Sequence, residues 1–422
     1  MIPNFLNRLV PIRSGKVPLQ LVLTLPFLLK MLAAVSFVSY ISYLNGRQAG
    51  QELASQVLNQ ASSQTLNHLH AYTQLPPRVS QLVADDLNAG HLTLSANDLR
   101  SLDRYFLQRS RIFVDMSFIY VGNEDGKFIG AGPVRNSKDF SHLIEVTDGT
   151  TQGNYVSYAI DGSGARSRQV NVTPNYDPRR RPWYQAAMAA GETTWSEIYA
   201  FIGQANTGLT ITAVTPFQEP SGKQGVTAVD LYLNDISAFL KTLEITRSGQ
   251  VLVLERNGSL VASSNAQPNH RIVNGKATRI AAIDSENPLV QQTIQSLQPS
   301  ALKTIEQRQM KFQWQGATQW MQITPFRDPH GLDWLIVVTI PESKFTSQIE
   351  ANLRNTFALA AVIVLIAIAM GVTMARLVVR PILQLSQAAK SIVKGNWNSP
   401  LPSDRADEIG ELARSFRNMV EQ

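Results

Sequence analysis

The stretch from Thr356 to Ala375 reads TFALAAVIVLIAIAMGVTMA, an apolar run without a charged residue. At ~1.5 Å per residue, a helix of roughly 20 residues matches the ~30 Å hydrocarbon thickness of a bilayer. The run is therefore predicted to cross a membrane, and the rest of the chain is placed relative to it. A second apolar run, Val17 to Leu44, is also long enough to span but contains Gln20, Pro26 and Lys30. Its lipid-facing part is expected to begin near Leu25, with the Lys30 ammonium reaching toward the headgroups. A cleaved signal peptide fits a basic start and an apolar stretch equally well, although no small-residue cleavage site follows Leu44.

Arg8, Arg13 and Lys16 precede the first run with no acidic residue among them, and Arg376 and Arg380 follow the second. Basic flanks mark the cytoplasmic side of a crossing. The expected organisation is a cytoplasmic start (1–16), a first membrane helix (17–45), an external domain (46–355), a second membrane helix (356–376) and a cytoplasmic segment (377–422).

Composition narrows the function classes. With 38 Lys and Arg against 32 Asp and Glu the formal charge is +6, and much of the excess sits beside the two apolar runs. That pattern points to a lipid bilayer as partner, because nucleic-acid binding calls for a basic, aromatic-interleaved face on a folded module. There is no cysteine, which removes disulfides, zinc-thiolate sites and thiol nucleophiles together. The external domain must hold itself by packing alone.

Within that domain, Leu53, Val57, Leu66, Leu69, Tyr72 and Leu75 recur at helical spacing, predicting a long helix from Leu44 to the break expected at Pro76-Pro77. Two similar blocks follow. The first holds SFIYVGNEDGKFIGAG (Ser117 to Gly132) and TAVTPFQEPSGKQGVTAVDLYL (Thr212 to Leu233). The second holds VLVLERNGSLVAS (Val251 to Ser263) and MQITPFRDPHGLDWLIVVTIP (Met321 to Pro341). Each is a pair of β-rich runs joined by a Gly, Asn or Asp turn. The order recurs, and so does a Thr-Pro-Phe at the end of a strand in each block. The fold class expected is α+β: two tandem antiparallel α/β units behind a long helix, a membrane-distal one at about 112–240 and a membrane-proximal one at about 245–345.

The most chemically loaded stretch is Tyr176-Asp177-Pro178-Arg179-Arg180-Arg181-Pro182-Trp183-Tyr184. A guanidinium offers a planar fork of donors to a carboxylate or phosphate, and aromatic rings exclude the water that would compete. The structural alternative is that Arg179 and Arg180 brace the fold while Trp183 and Tyr184 sit in the core.

With the second hairpin and second unit behind it, the DPRxRPWY pattern resembles the double Cache family of bacterial extracytoplasmic sensors over about Gly46 to Asn355. The resemblance implies a tandem PAS-like domain. In members that bind amino acids it implies ligand contacts at the positions of Tyr176, Arg181, Trp183, Tyr184, Tyr199 and Asp230. Phe201 stands where a second carboxylate is expected, so the amine end of a ligand is left to Asp230 and aromatic faces. Amino acids, carboxylates, purines and other small polar metabolites all stay open as ligands.

After the second apolar run come two helical stretches joined by a Gly/Asn/Pro-rich connector. Leu385, Ala389 and Ile392 share a face of the first; Ile409, Leu412, Phe416 and Met419 share a face of the second. Narrow seams of this kind are buried when two copies form a parallel four-helix bundle, so a homodimer is expected. The segment resembles the HAMP helical hairpin, with Pro381 at its start and Glu408 opening the second helix as the relay residues.

No nucleophile elbow, phosphate loop or HExxH is present, and the six histidines show no metal spacing, so neither catalysis nor a cofactor or metal is expected. The reading is a bacterial inner-membrane receptor with a periplasmic or external sensor. It would relay a small-molecule signal to a cytoplasmic output such as a histidine kinase or cyclase. No output domain appears before Gln422, so a fragment of a larger receptor, a chemoreceptor among them, or a truncated product that heterodimerises is expected. A membrane-anchored external scaffold or adhesin is the competing class.

Overall fold

The computed structural model describes residues 19–134, 141–202, 208–265, 268–273, 276–394, 402 and 404–421. Arg8, Arg13, Lys16 and the beginning of the first apolar run lie outside them. The chain divides into two units, one of Glu52–Lys344 and one of Met1–Gln51 with Phe345–Gln422.

The first helix, α1, runs unbroken over Leu19–Asn88. It does not stop at Pro76-Pro77 as the sequence predicts. Both prolines are buried, and the turns beyond them seat Val79, Val83, Ala84 and Leu87 in a hydrophobic core. Burying Val79, Val83 and Leu87 at ~1.5–3 kcal/mol each is of the same order as the ~3 kcal/mol that each of the two prolines costs in a helix interior. The face differs too: Leu53 and Leu75 are exposed, whereas Ala54, Leu58, Ala61, Ser62, Thr65, Leu69 and Thr73 are buried. Thr65 and Thr73 donate their hydroxyls to the carbonyls of Ala61 and Leu69, each at 2.8 Å, which lets small polar residues face inward satisfied.

In the Glu52–Lys344 unit, α2 (Asp103–Ile112) precedes β1 (Phe118–Asn123), β2 (Phe128–Pro133), β3 (His142–Thr147), β4 (Tyr155–Ile160) and β5 (Arg166–Thr173). Then come α3 (Pro182–Ala190), β6 (Thr194–Trp195), β7 (Tyr199–Ala200), β8 (Leu209–Gln218), β9 (Gln224–Tyr232) and α4 (Leu233–Thr242). These strands form an antiparallel sheet of order β5-β4-β3-β2-β1-β9-β8-β6, with β7 also on β8. The strands β3, β4 and β5, which the hairpin pattern did not reveal, extend it on one side.

Alternation along β1 assigns its two faces. Ile119 and Val121 pack with Val83, Leu87 and Phe106 of α1 and α2, while Phe118 and Tyr120 point the other way, toward Trp183 of α3. The β1–β2 turn is closed by Gly126 at φ +79°, a left-handed conformation that glycine adopts without steric cost.

The second sheet is built from β10 (Gln250–Glu255), β11 (Leu260–Ser263), β14 (Arg308–Trp314), β15 (Ala317–Arg327) and β16 (Asp333–Pro341). The ribbon β12 (His270–Val273) and β13 (Lys276–Arg279) and the helix α5 (Pro288–Leu297) lie between β11 and β14 in sequence. Its order is β11-β10-β16-β15-β14. The run β2-β1-β9-β8 in the first sheet and β11-β10-β16-β15 in the second follow one topology: a hairpin whose leading strand pairs the trailing strand of a later hairpin. All four hairpins read from the sequence are formed. α1 touches both sheets: Ser80 and Thr227 of β9 bond at 2.9 Å, and Ser55 and Gln309 of β14 at 3.2 Å.

In the other unit, α6 (Ser343–Met374) continues through a π-helical turn, Ala375–Val379, into α7 (Arg380–Val393); α8 spans Glu408–Glu421. Among the described residues one helix, Arg354–Val393, is long and apolar enough to cross a membrane. Pro381 is buried at the second residue of α7, directly after the π-helical turn. Glu408 is the exposed first residue of α8. Beside it, the Asp407 carboxylate is held down at about 2 by Arg405 and accepts from the Gly410 amide at 3.1 Å, capping the helix. Most of the connector, residues 395–401, lies outside the described residues.

Candidate ligand-binding site

The aromatic–arginine stretch makes a sharp turn before α3. Asp177 accepts from the Arg179 amide at 3.0 Å, starting a short 3-10 turn, Pro178–Arg180. The Arg179 guanidinium returns to Asp177 at 2.8 Å and donates to the Glu124 carbonyl at 2.9 Å. Arg179 is thereby a brace, and Arg180 is exposed. Only Arg181 is directed into a cavity.

That cavity lies between α3, the β7 region and the Phe118/Tyr120 face of the first sheet. It has about 20 Å³ of free space and is lined by Phe118, Tyr120, Phe128, Tyr155, Tyr176, Arg181, Trp183, Tyr199, Phe201, Ile202 and Asp230. That is about the room one buried water needs, well below the ~300 Å³ at which pockets for small ligands begin, so the side chains pack close against one another here. Five of the six residues expected at a ligand, Tyr176, Arg181, Trp183, Tyr199 and Asp230, line it together. Tyr184 does not: it meets Trp183 edge to face at 5.5 Å, with Glu124, Arg179 and Asp177 as its charged neighbours.

Asp230 is the buried anion of the site. It accepts from the Thr212 hydroxyl at 2.6 Å and from Tyr120 at 2.9 Å, and Tyr199 lies at 3.5 Å. Burial pushes its carboxyl up to about 7, against those hydrogen bonds and the charge of Arg181. Arg181 lies 5.3 Å from the Tyr199 ring and donates to the Ala200 carbonyl at 3.3 Å, leaving further donors for a ligand. The arrangement offers a guanidinium, a carboxylate and aromatic faces on one cavity.

Phe201, where a second carboxylate is expected, instead sits edge-on to Phe118 at 6.2 Å and to Tyr232 at 5.5 Å. Sequence reasoning missed Phe118, Tyr120, Phe128, Tyr155 and Thr212. The signal was present in period-two spacing: Phe118 and Tyr120 share one face of β1, and β2 opposite them carries Phe128, Gly130 and Gly132.

A Cache domain model matches residues 30–349, and a HAMP domain model matches residues 373–422. The chain belongs to the Cache domain family. This Cache domain is followed by a HAMP domain, the organisation of a signal-transducing receptor with a ligand-binding domain. The chain is 25% identical over 265 residues to the methyl-accepting chemotaxis protein PctB of Pseudomonas aeruginosa, covering 62% of this chain and 38% of that protein. It is 22% identical over 282 residues to McpB of Bacillus subtilis, covering 66% and 37%. The Cache–HAMP chain thus spans about two fifths of the length of these relatives. The solved ligand-binding domain of PctB in complex with L-Arg aligns at 19% identity and a TM-score of 0.38, over 69% of this chain and 95% of that one.

Proposed function

We propose that this Cache–HAMP chain is a transmembrane receptor whose external sensor binds a small amino acid, carboxylate or related metabolite, relaying occupancy through HAMP to a cytoplasmic output. The observation that carries the reading is the pairing of Arg181 and Asp230 across one aromatic cavity. A carboxylate end suits Arg181, and an ammonium suits Asp230 and the rings.

Two crossings are part of the proposal. Leu29, Leu32, Phe37 and Val38 of α1 are exposed apolar side chains, as lipid contact requires. Leu32, Val35, Ser39 and Tyr43 line a groove shared with Phe357, Ala360 and Val364 of α6, so the two apolar helices run side by side. A homodimer is supported by the relay seam: Leu412 and Met419 are 61% and 63% exposed in the single chain. Binding would favour one sensor conformation, shift α6 against α1 and repack the relay helices.

The test is a thermal-shift screen of the full chain in lipid nanodiscs against L-asparagine, L-glutamine, L-arginine, 4-aminobutanoate and short carboxylates. At least one is expected to raise the melting temperature. Arg181→Ala is expected to weaken that compound about 10- to 100-fold, since a charge-assisted hydrogen bond contributes ~1.5–3 kcal/mol and each ~1.4 kcal/mol is tenfold. No shift with any compound, or full affinity in Arg181→Ala, contradicts the reading.

A further inference from the structure

One buried charge takes no part in the pairing of Arg181 with Asp230. Glu145 of β3 is 3% exposed, and among the described residues no Lys, Arg or His nitrogen stands within 4 Å of it. Its carboxylate accepts from the Ser157 hydroxyl at 2.9 Å and, closer still, from the Tyr155 hydroxyl. An unpaired buried carboxylate is costly, so its retention calls for a role.

The sheet register gives its position. Ala228, Tyr120, Gly130, Glu145 and Ser157 are successive cross-strand partners on β9, β1, β2, β3 and β4, and therefore share a face. That is the face that carries the cavity. Gly130, between Tyr120 and Glu145, has no side chain to separate them. A Cβ there would stand 2.3 Å from the Tyr120 Cβ and 2.7 Å from the Phe118 ring. The Glu145 carboxylate also senses the charge of Asp230 across this strip.

A phenol has one proton to donate. Tyr155 spends it on Glu145, and Tyr120 spends its own on Asp230. Both residues line the cavity, and a phenol whose proton is held elsewhere has only oxygen lone pairs left to offer a ligand beside it. We propose that Glu145 is a specificity-setting positioning residue of this pocket: by holding the Tyr155 proton it makes that phenol an acceptor, completing with Tyr120 and Asp230 a wall that accepts the N–H groups of an ammonium ligand. It thereby stands in for the carboxylate missing at Phe201, acting from the opposite side of the cavity. This deepens the proposed function and rests on it.

The groups facing Glu145 from neighbouring elements are Tyr155 and Ser157 of β4, Asp230 of β9 and Tyr176 from the segment before α3, with Tyr120 of β1 in the same cross-strand row. The test uses calorimetric titration of the full chain in nanodiscs at pH 6 and pH 8, with 4-aminobutanoate against butanoate and each of L-asparagine, L-glutamine and L-arginine against its des-amino acid. Wild type is expected to prefer the amine of at least one pair, more strongly at pH 8. Glu145→Gln and Tyr155→Phe are each expected to lower that preference about tenfold or more and to flatten its pH dependence. Glu145→Gln melts at or above the wild-type temperature, because a buried charge is removed, which separates loss of selectivity from loss of fold. Wild-type preference and pH profile retained in both variants overturn the role of Glu145 alone. Failure of the wild type to bind any of the compounds overturns the proposed function and this inference together.

Discussion

Trp183→Ala is expected to cost the sensor unit about 3–5 kcal/mol of stability, the range for deleting a large aromatic from a well-packed core. Trp183 is among the largest fully buried side chains, meeting Tyr120 edge to face at 5.0 Å and Phe128 at 6.3 Å. It also forms one wall of the cavity, so the variant should lose ligand binding with its stability. Denaturant unfolding of wild type and variant measures the first effect. Trp183→Phe, which refills most of the volume, is the control: it should recover most of the stability. A loss under about 1 kcal/mol in Trp183→Ala would mean that the indole is not seated in this core.

The second large effect is on pH. Burial raises both Asp230 and Glu145 to about 7, above the ordinary range of a carboxyl. Below about pH 4 the folded and unfolded chains both hold these protons, and no penalty appears. Between about pH 4 and 7 the unfolded chain releases them while the folded chain retains them, so stability falls as pH rises and levels off above about 8. Each tenfold difference in proton affinity between the folded and unfolded chains is worth ~1.4 kcal/mol, so with two such groups the fall is on the order of several kcal/mol. Asp407, Asp125 and Asp177 are lowered by basic partners and act the other way in the acid region, and His68, His142 and His270, lowered first by burial, act the other way up to about pH 6.5. The ligand-free melting temperature should therefore decline from about pH 6.5 toward pH 8. An Asp230→Asn/Glu145→Gln double variant should lose most of the decline. A wild-type melting temperature that is flat or rising over about pH 6.5–8 would contradict the assigned burial.

What could be read from the sequence was whatever is local. The hairpins announced themselves through turns such as Asn257-Gly258, where Gly258 takes φ +86°, and the segment Tyr176–Tyr184 through its density of rings and guanidinium groups. The helix through Pro76-Pro77 was hidden because the interactions that sustain it lie on distant strands, Ser80 with Thr227 among them. The cavity was half visible for the same reason. Its α3 side is one contiguous segment. Its floor is assembled by register, which sets Tyr120, Glu145, Ser157 and Ala228 in one row from four hydrogen-bonded pairings. Neither the pairing of β3 with β2 nor the clearing of the face at Gly130 leaves a mark within one segment.

The absence of cysteine makes one measurement direct. Ser163, in the turn between β4 and β5, and Ser415, on α8, are both exposed and can each be replaced by a single cysteine. In intact bacterial cells permeable only at the outer membrane, a membrane-impermeant thiol reagent is predicted to label Ser163→Cys at once. Ser415→Cys should react only after the inner membrane is opened. Labelling of Ser415→Cys in intact cells, or protection of Ser163→Cys, would put the cavity and the relay on the same side of the bilayer and contradict sensing across it.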